Sequence, residues 1–144
     1  MRMAIDNAVV QRDNPKIATR VLHNGTKIRM YFGDTVIPAT LNDSDTAQAL
    51  INMLPYSINL SNYGSDFCGI IDNTLPYKED DVHNGWLNGD IDFATDGNWF
   101  TILFGGEESS GSYGYQVNIG KIDCELEKIS SLHGSYQVRI ELSE

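Results

Sequence analysis

Apolar and polar side chains alternate from residue 27 onward. Ile28, Met30 and Phe32 interleave with Lys27, Arg29 and Tyr31, the period-two pattern of a half-buried strand. Gly33-Asp34 turns the chain into Val36-Ile37-Pro38-Ala39-Thr40, which predicts a hairpin. Pro38 has no N–H for a ladder, so an edge or bulge is expected there. The period then changes: Ala47, Leu50, Ile51 and Leu54 fall at i, i+3, i+4 and i+7, one face of a helix that Pro55 ends. Asn42-Asp43-Ser44-Asp45 supplies N-caps ahead of it. Asp43 and Asp45 suit the positive end of the helix dipole and need no catalytic explanation.

Alternation returns at Ile58 and Leu60, and residues 67–71 form a short apolar run that fits a buried strand. An acidic loop over 72–85 follows. Strands at 90–94 and 99–104 flank Asp96-Gly97, a pair that tolerates the positive φ of a type I′ hairpin. Residues 105–112 read as a mobile Gly/Ser-rich connection, or as a gate over the barrel mouth. Residues 113–119 alternate again, Asp123 is positioned to cap a helix carrying Leu126 and Ile129, and Tyr136, Val138, Ile140 and Leu142 make one face of a closing strand. About eight strands and two short helices, with turns at this spacing, predict a mainly β fold: a closed antiparallel β-barrel with helices plugging its ends. Residues 1–24 are read as an N-terminal arm and 25–144 as the barrel domain.

A chain of 144 residues buries roughly 70% of its unfolded surface, enough for one core without metal or disulfide staples. Ten Lys and Arg against twenty Asp and Glu give a net charge of -10. That balance argues against nucleic acid, because cations to displace counterions are lacking, and against an anionic membrane surface. Nowhere do 18 apolar residues run together, and the first residues lack the apolar core of a signal peptide. A soluble, cytoplasmic monomer is expected. Cys68 and Cys124 are too few for a disulfide framework and are expected reduced and partly buried.

Sites for catalysis or metal are scarce. His23, His83 and His133 lie far apart, and Glu79-Asp80-Asp81-x-His83 lacks the spacing and glycine of an EF-hand loop. Each histidine is expected to be solvated or locally bonded. No metal or cofactor is expected. The loop at 105–112 carries Glu107 and Glu108 where a phosphate cradle needs Lys-Ser or Lys-Thr, and no Gly-x-Ser-x-Gly elbow occurs. Among the aromatics, alternation places Phe100 and Tyr115 in the core. Trp86 and Tyr113 stand beside loops, offering an apolar face with a polar handle.

Three phrases occur in a telling order: Tyr63-Gly64-Ser65-Asp66-Phe67-Cys68-Gly69-Ile70-Ile71, then Asn88-Gly89-Asp90-Ile91, then Ile119-Gly120-Lys121-Ile122 before a short helix. The chain thereby resembles the cyclophilins over residues 27–142, and most closely the compact bacterial and archaeal cyclophilin-like proteins. The resemblance implies the cyclophilin barrel. It also implies a missing activity: where a cyclophilin reads Phe-His-Arg-Ile-Ile, this chain reads Phe67-Cys68-Gly69-Ile70-Ile71. Glycine stands at the rate-enhancing arginine, Cys68 at the neighbouring histidine, and Leu87 near the expected substrate-orienting glutamine. Arg29 and Arg139 sit on the charged side of their alternating patterns. The reading is a non-catalytic barrel that binds a small apolar ligand or a proline-containing peptide in a groove near Tyr63, Phe67, Trp86 and Tyr113. The alternatives are a divergent peptidyl-prolyl isomerase, requiring a cation within reach of the pocket, and a purely structural or interaction domain.

Overall fold

The computed structural model describes residues 2–143. In chain order the strands are β1 (Thr26–Phe32), β2 (Thr35–Leu41), β3 (Tyr56–Asn62), β4 (Asp66–Ile70), β5 (Val82–His83), β6 (Asp90–Ala94), β7 (Trp99–Leu103), β8 (Gln116–Ile122) and β9 (Ser135–Leu142). Helix α1 (Asp45–Ile51) follows β2, and α2 (Leu126–Ser130) follows β8. The strands lie in the order β2-β1-β9-β3-β4-β7-β6-β8, and β8 pairs back onto β2 through Ala39↔Ile122, Thr40↔Lys121 and Leu41↔Gly120. The result is a closed eight-stranded antiparallel barrel with the two-residue β5 outside it on β8. Closure satisfies the edges that an open sheet would present.

Alternation becomes burial as expected. Ile28, Met30 and Phe32 point inward with Phe67, Phe93 and Phe100. Phe32 meets Phe67 edge-on at 5.0 Å and Tyr136 at 5.6 Å, a favoured aromatic geometry. Ser44 caps α1 by accepting the N–H of Ala47, so the helix begins within the run of candidate caps. Ala47 and Leu50 of α1 and Ile129 of α2 join the core.

Several expectations change. The β6–β7 hairpin forms between the expected strands, but its four-residue link has positive φ at Gly97 (118°) and Asn98 (64°) and not at Asp96, so Asp96-Gly97 is not a type I′ turn. Asp123 does not cap α2. Its carboxylate accepts from Thr40 Oγ1 at 2.6 Å and pairs with Lys121 at 2.6 Å, while α2 starts after Glu125 without a side-chain cap. Tyr115 precedes β8 and is 51% exposed, so Val117, not Tyr115, starts the inward row. The acidic loop contains a 3-10 turn (Glu79–Asp81) and β5.

The segment at 105–112 is fastened, contrary to its reading as a mobile connection. It forms a 3-10 turn over Glu107–Ser112. Asn88 and Glu107 exchange backbone-to-side-chain bonds at 2.8 and 3.0 Å, and Ser110 Oγ accepts the N–H of Trp86 at 2.9 Å. Residues 2–24 lie against the barrel with Ala4 and Ala18 buried. Arg20 from this segment clamps Asp90 of β6 through Nε (2.8 Å) and a terminal nitrogen (3.0 Å).

Candidate functional site

The site is built on the outer face of four adjacent strands. Register partners Cys68, Thr101, Asp92 and Asn118 form one row across β4, β7, β6 and β8, and Ile70, Trp99, Ala94 and Gln116 form the next. Loops fold over part of this face and leave a cleft of about 500 Å³. Its aromatic lining comes from Tyr63, Trp86, Trp99 and Tyr113. The Trp86 and Tyr113 rings stand 5.6 Å apart, tilted by 35°. Trp86 is held by its indole N–H, which donates to the Gly105 carbonyl at 2.8 Å, and Gly106, at φ 82°, lets the chain pass beside the ring.

Three of the four groove residues named from the sequence therefore meet at one cleft. Phe67 does not. It is fully buried among Phe32, Phe104 and Tyr136 on the inner face, because β4 points residue 67 inward and residue 68 outward. Sequence reasoning missed Gln116, Asp66 and the placement of Trp99 in this lining. The alternation of Gln116 and Asn118 with Val117 and Ile119, which puts the polar pair on the outward face, was the available signal.

The electrostatics are acidic and disfavour a thiolate. Burial, followed by the neighbouring Asp66 carboxylate, pushes the Cys68 thiol up to about 12. Burial likewise raises Asp66, against a bond from Cys68. Among the described residues, neither Asp66 nor Asp96 has a Lys, Arg or His within ion-pair distance. Both cysteines are free thiols. Burial also raises Cys124, outweighing the Lys128 charge.

A second cleft, about 480 Å³, adjoins the first, sharing Tyr63, Cys68 and Trp99 and running along β3 past Ser57 and Asn59, with Ile70 of β4 beside them. Gly69 lies on β4 beside β3. A Cβ built there collides with the Asn59 carbonyl oxygen, so the backbone as folded has no space for a side chain. Leu87, near the expected glutamine position, is buried; its N–H donates to Asp90. Neither cleft has Lys, Arg or His in its lining among the described residues. Arg139 instead binds Glu141 at 2.9 Å.

A third cleft, about 460 Å³, is polar and lies where residues 2–7 approach the start of α1. It mixes Arg2, Arg20 and Lys78 with Asp6, Asp43 and Asp45. His83 in its lining is buried and locally bonded, its Nδ1 3.4 Å from the Asn84 carbonyl, and burial lowers its pKa. Among the described residues no three His, Cys, Asp or Glu side chains converge as a metal ion would require.

A model of the cyclophilin-like family matches residues 30–141. The chain belongs to this family. Among solved structures, a hypothetical protein from Archaeoglobus fulgidus, determined in solution, shares the fold at a TM-score of 0.68. It is 16% identical, over 85% of this chain and 100% of that one, a likeness that speaks for the fold alone. No curated protein matches the sequence. No helix among the described residues is long and apolar enough to cross a membrane.

Proposed function

We propose that this cyclophilin-like chain is a binding barrel without prolyl isomerase chemistry, taking a proline-containing peptide or a small apolar ligand in the cleft formed by Tyr63, Trp86, Trp99 and Tyr113. The observation that carries the reading is the first cleft itself, where aromatic surface stays open to a ligand and no Lys, Arg or His lies in the lining among the described residues. Residue 69, on the inward row of β4 with Phe67, has no room for a side chain. An X-Pro bond resists rotation by about 18–20 kcal/mol through amide conjugation. An arginine that hydrogen-bonds the proline nitrogen weakens that conjugation in the twisted state, and acceleration requires such preferential binding of the transition state. The cleft linings offer no arginine to replace it. The protein acts as a monomer and needs no cofactor for this role.

Titration of labelled protein with Xaa-Pro peptides tests the reading by NMR. Amide shifts at Trp86, Trp99 and Tyr113 with unchanged cis/trans exchange of the peptide are expected. Accelerated exchange would establish a divergent isomerase instead. Saturation with no shift in the cleft would leave the barrel without a ligand site there.

A further inference from the structure

The two adjoining clefts differ from an ordinary apolar trough in their charge. The first presents four aromatic side chains together with the carboxylates of Asp66 and Asp96, and the second adds Asp72. Asp66 is partly buried and, among the described residues, lacks an ion-pair partner. A carboxylate so placed has lost solvation without gaining a countercharge, and it gains most from a cation brought by a ligand. Gln116 supplies a second, independent feature. Its side chain lines the cleft, the residue is only 5% exposed, and its Oε1 has no hydrogen-bond partner. A buried acceptor without a partner is costly, and an N–H donor brought by a ligand that reaches it relieves that cost.

Aromatic faces attract cations through the ring quadrupole, and guanidinium groups stack on them as well as pairing with carboxylates. Tyr113 and Tyr63, which line the cleft, are 58% and 66% exposed. The net charge of -10 acts in the same direction at longer range.

We infer that the occupant of this trough is an extended basic peptide, with an arginine or lysine side chain seated between the Trp86–Tyr113 pair and Asp66 and its flanking residues running into the second cleft along β3. The inference rests on the binding reading above and specifies the chemistry of its ligand. The continuous pair of clefts favours a peptide over a free amine, because one cation fills only the aromatic end.

The test uses the intact chain and two capped hexapeptides, Ala-Ala-Arg-Pro-Ala-Ala and the same sequence with neutral citrulline replacing arginine. Affinities are read from amide shifts and tryptophan fluorescence at low salt. The arginine peptide is expected to bind about tenfold more tightly, with the preference shrinking in 1 M salt. Asp66→Asn, shown to be folded by its amide spectrum, is expected to reduce the preference several-fold without abolishing citrulline-peptide binding. Equal affinities for the two peptides would overturn the cationic inference while leaving the binding reading standing. Failure of both to bind would overturn both. Argininamide binding as tightly as the hexapeptide would overturn the peptide as occupant.

Discussion

The carbonyl oxygen of Asn59 on β3 occupies the space that a Cβ at Gly69 on β4 would need. Glycine at this position is thus part of how the two strands approach, and its replacement perturbs the barrel before it can add chemistry. Gly69→Ala is expected to cost about 1–3 kcal/mol, the usual range for forcing atoms into a packed site. Urea unfolding measures it. Gly69→Arg is expected to destabilise further and leave peptide cis/trans exchange at its uncatalysed rate. A well-folded Gly69→Arg protein that accelerates exchange would show that the wall yields and that only the arginine was missing.

Arg20 and Asp90 join the N-terminal segment to β6, with side chains 11% and 0% exposed. Leu87 N–H adds a third bond to the carboxylate. Removing one member of a buried pair strands the other charge, at a cost of about 3–5 kcal/mol. Arg20→Met should therefore lower stability by an amount in that range. Arg20→Met combined with Asp90→Leu should cost less than the sum of the single changes, since no charge is then left alone. A double-mutant cycle in urea separates the two cases, and additivity would mean the pair is not coupled.

The barrel was legible because strict alternation marks each long strand and its inward face, as at Ile28, Met30 and Phe32. Phe67 was misplaced for the converse reason. In Phe67-Cys68-Gly69-Ile70-Ile71 nearly every residue is apolar, so periodicity does not say which side chain faces in. Tyr113, Tyr115, Val117 and Ile119 look like one row, yet β8 begins only at Gln116 and Tyr115 belongs to the loop. Arg20 and Asp90 are 70 positions apart, and no local pattern announces such a pair. The Asn59–Gly69 approach is equally hidden, because it depends on how two strands diverge.

Stability should depend on pH through Asp92. This carboxyl is fully buried, accepts from Asn118 at 3.1 Å through Oδ1, and leaves Oδ2 without a partner. Burial, then the Asp90 charge, raises its pKa well above the ordinary aspartate value of 3.8, with Asn118 and Arg20 opposing. The folded state thus holds this proton more tightly than the unfolded chain. Its stabilising contribution is complete below 3.8 and is lost as pH climbs through the raised folded value. Asp92→Asn keeps the shape and removes the titration. The variant is expected to gain on the parent as pH rises from 4 toward 8, read from urea midpoints at each pH. A stability difference constant over that range would show that Asp92 does not titrate between them.

Cys68 offers a chemical reporter for the same wall. With its thiol pushed up to about 12 by burial and then by Asp66, the thiolate that reacts with electrophiles is scarce at neutral pH. Cys68 should label at pH 8 much more slowly than a free thiol in a short peptide. Cys124, also raised by burial but beside Lys128, should label ahead of it. Asp66→Asn removes a neighbouring negative charge and should speed Cys68 labelling, whereas simple steric shielding predicts no change from a replacement of the same size. Because Cys68 lines both clefts, a bound peptide should slow labelling of Cys68 while leaving Cys124 unchanged. Mass spectrometry of each cysteine peptide over time distinguishes these outcomes. Unchanged Cys68 reactivity at peptide saturation would place the ligand elsewhere on the barrel.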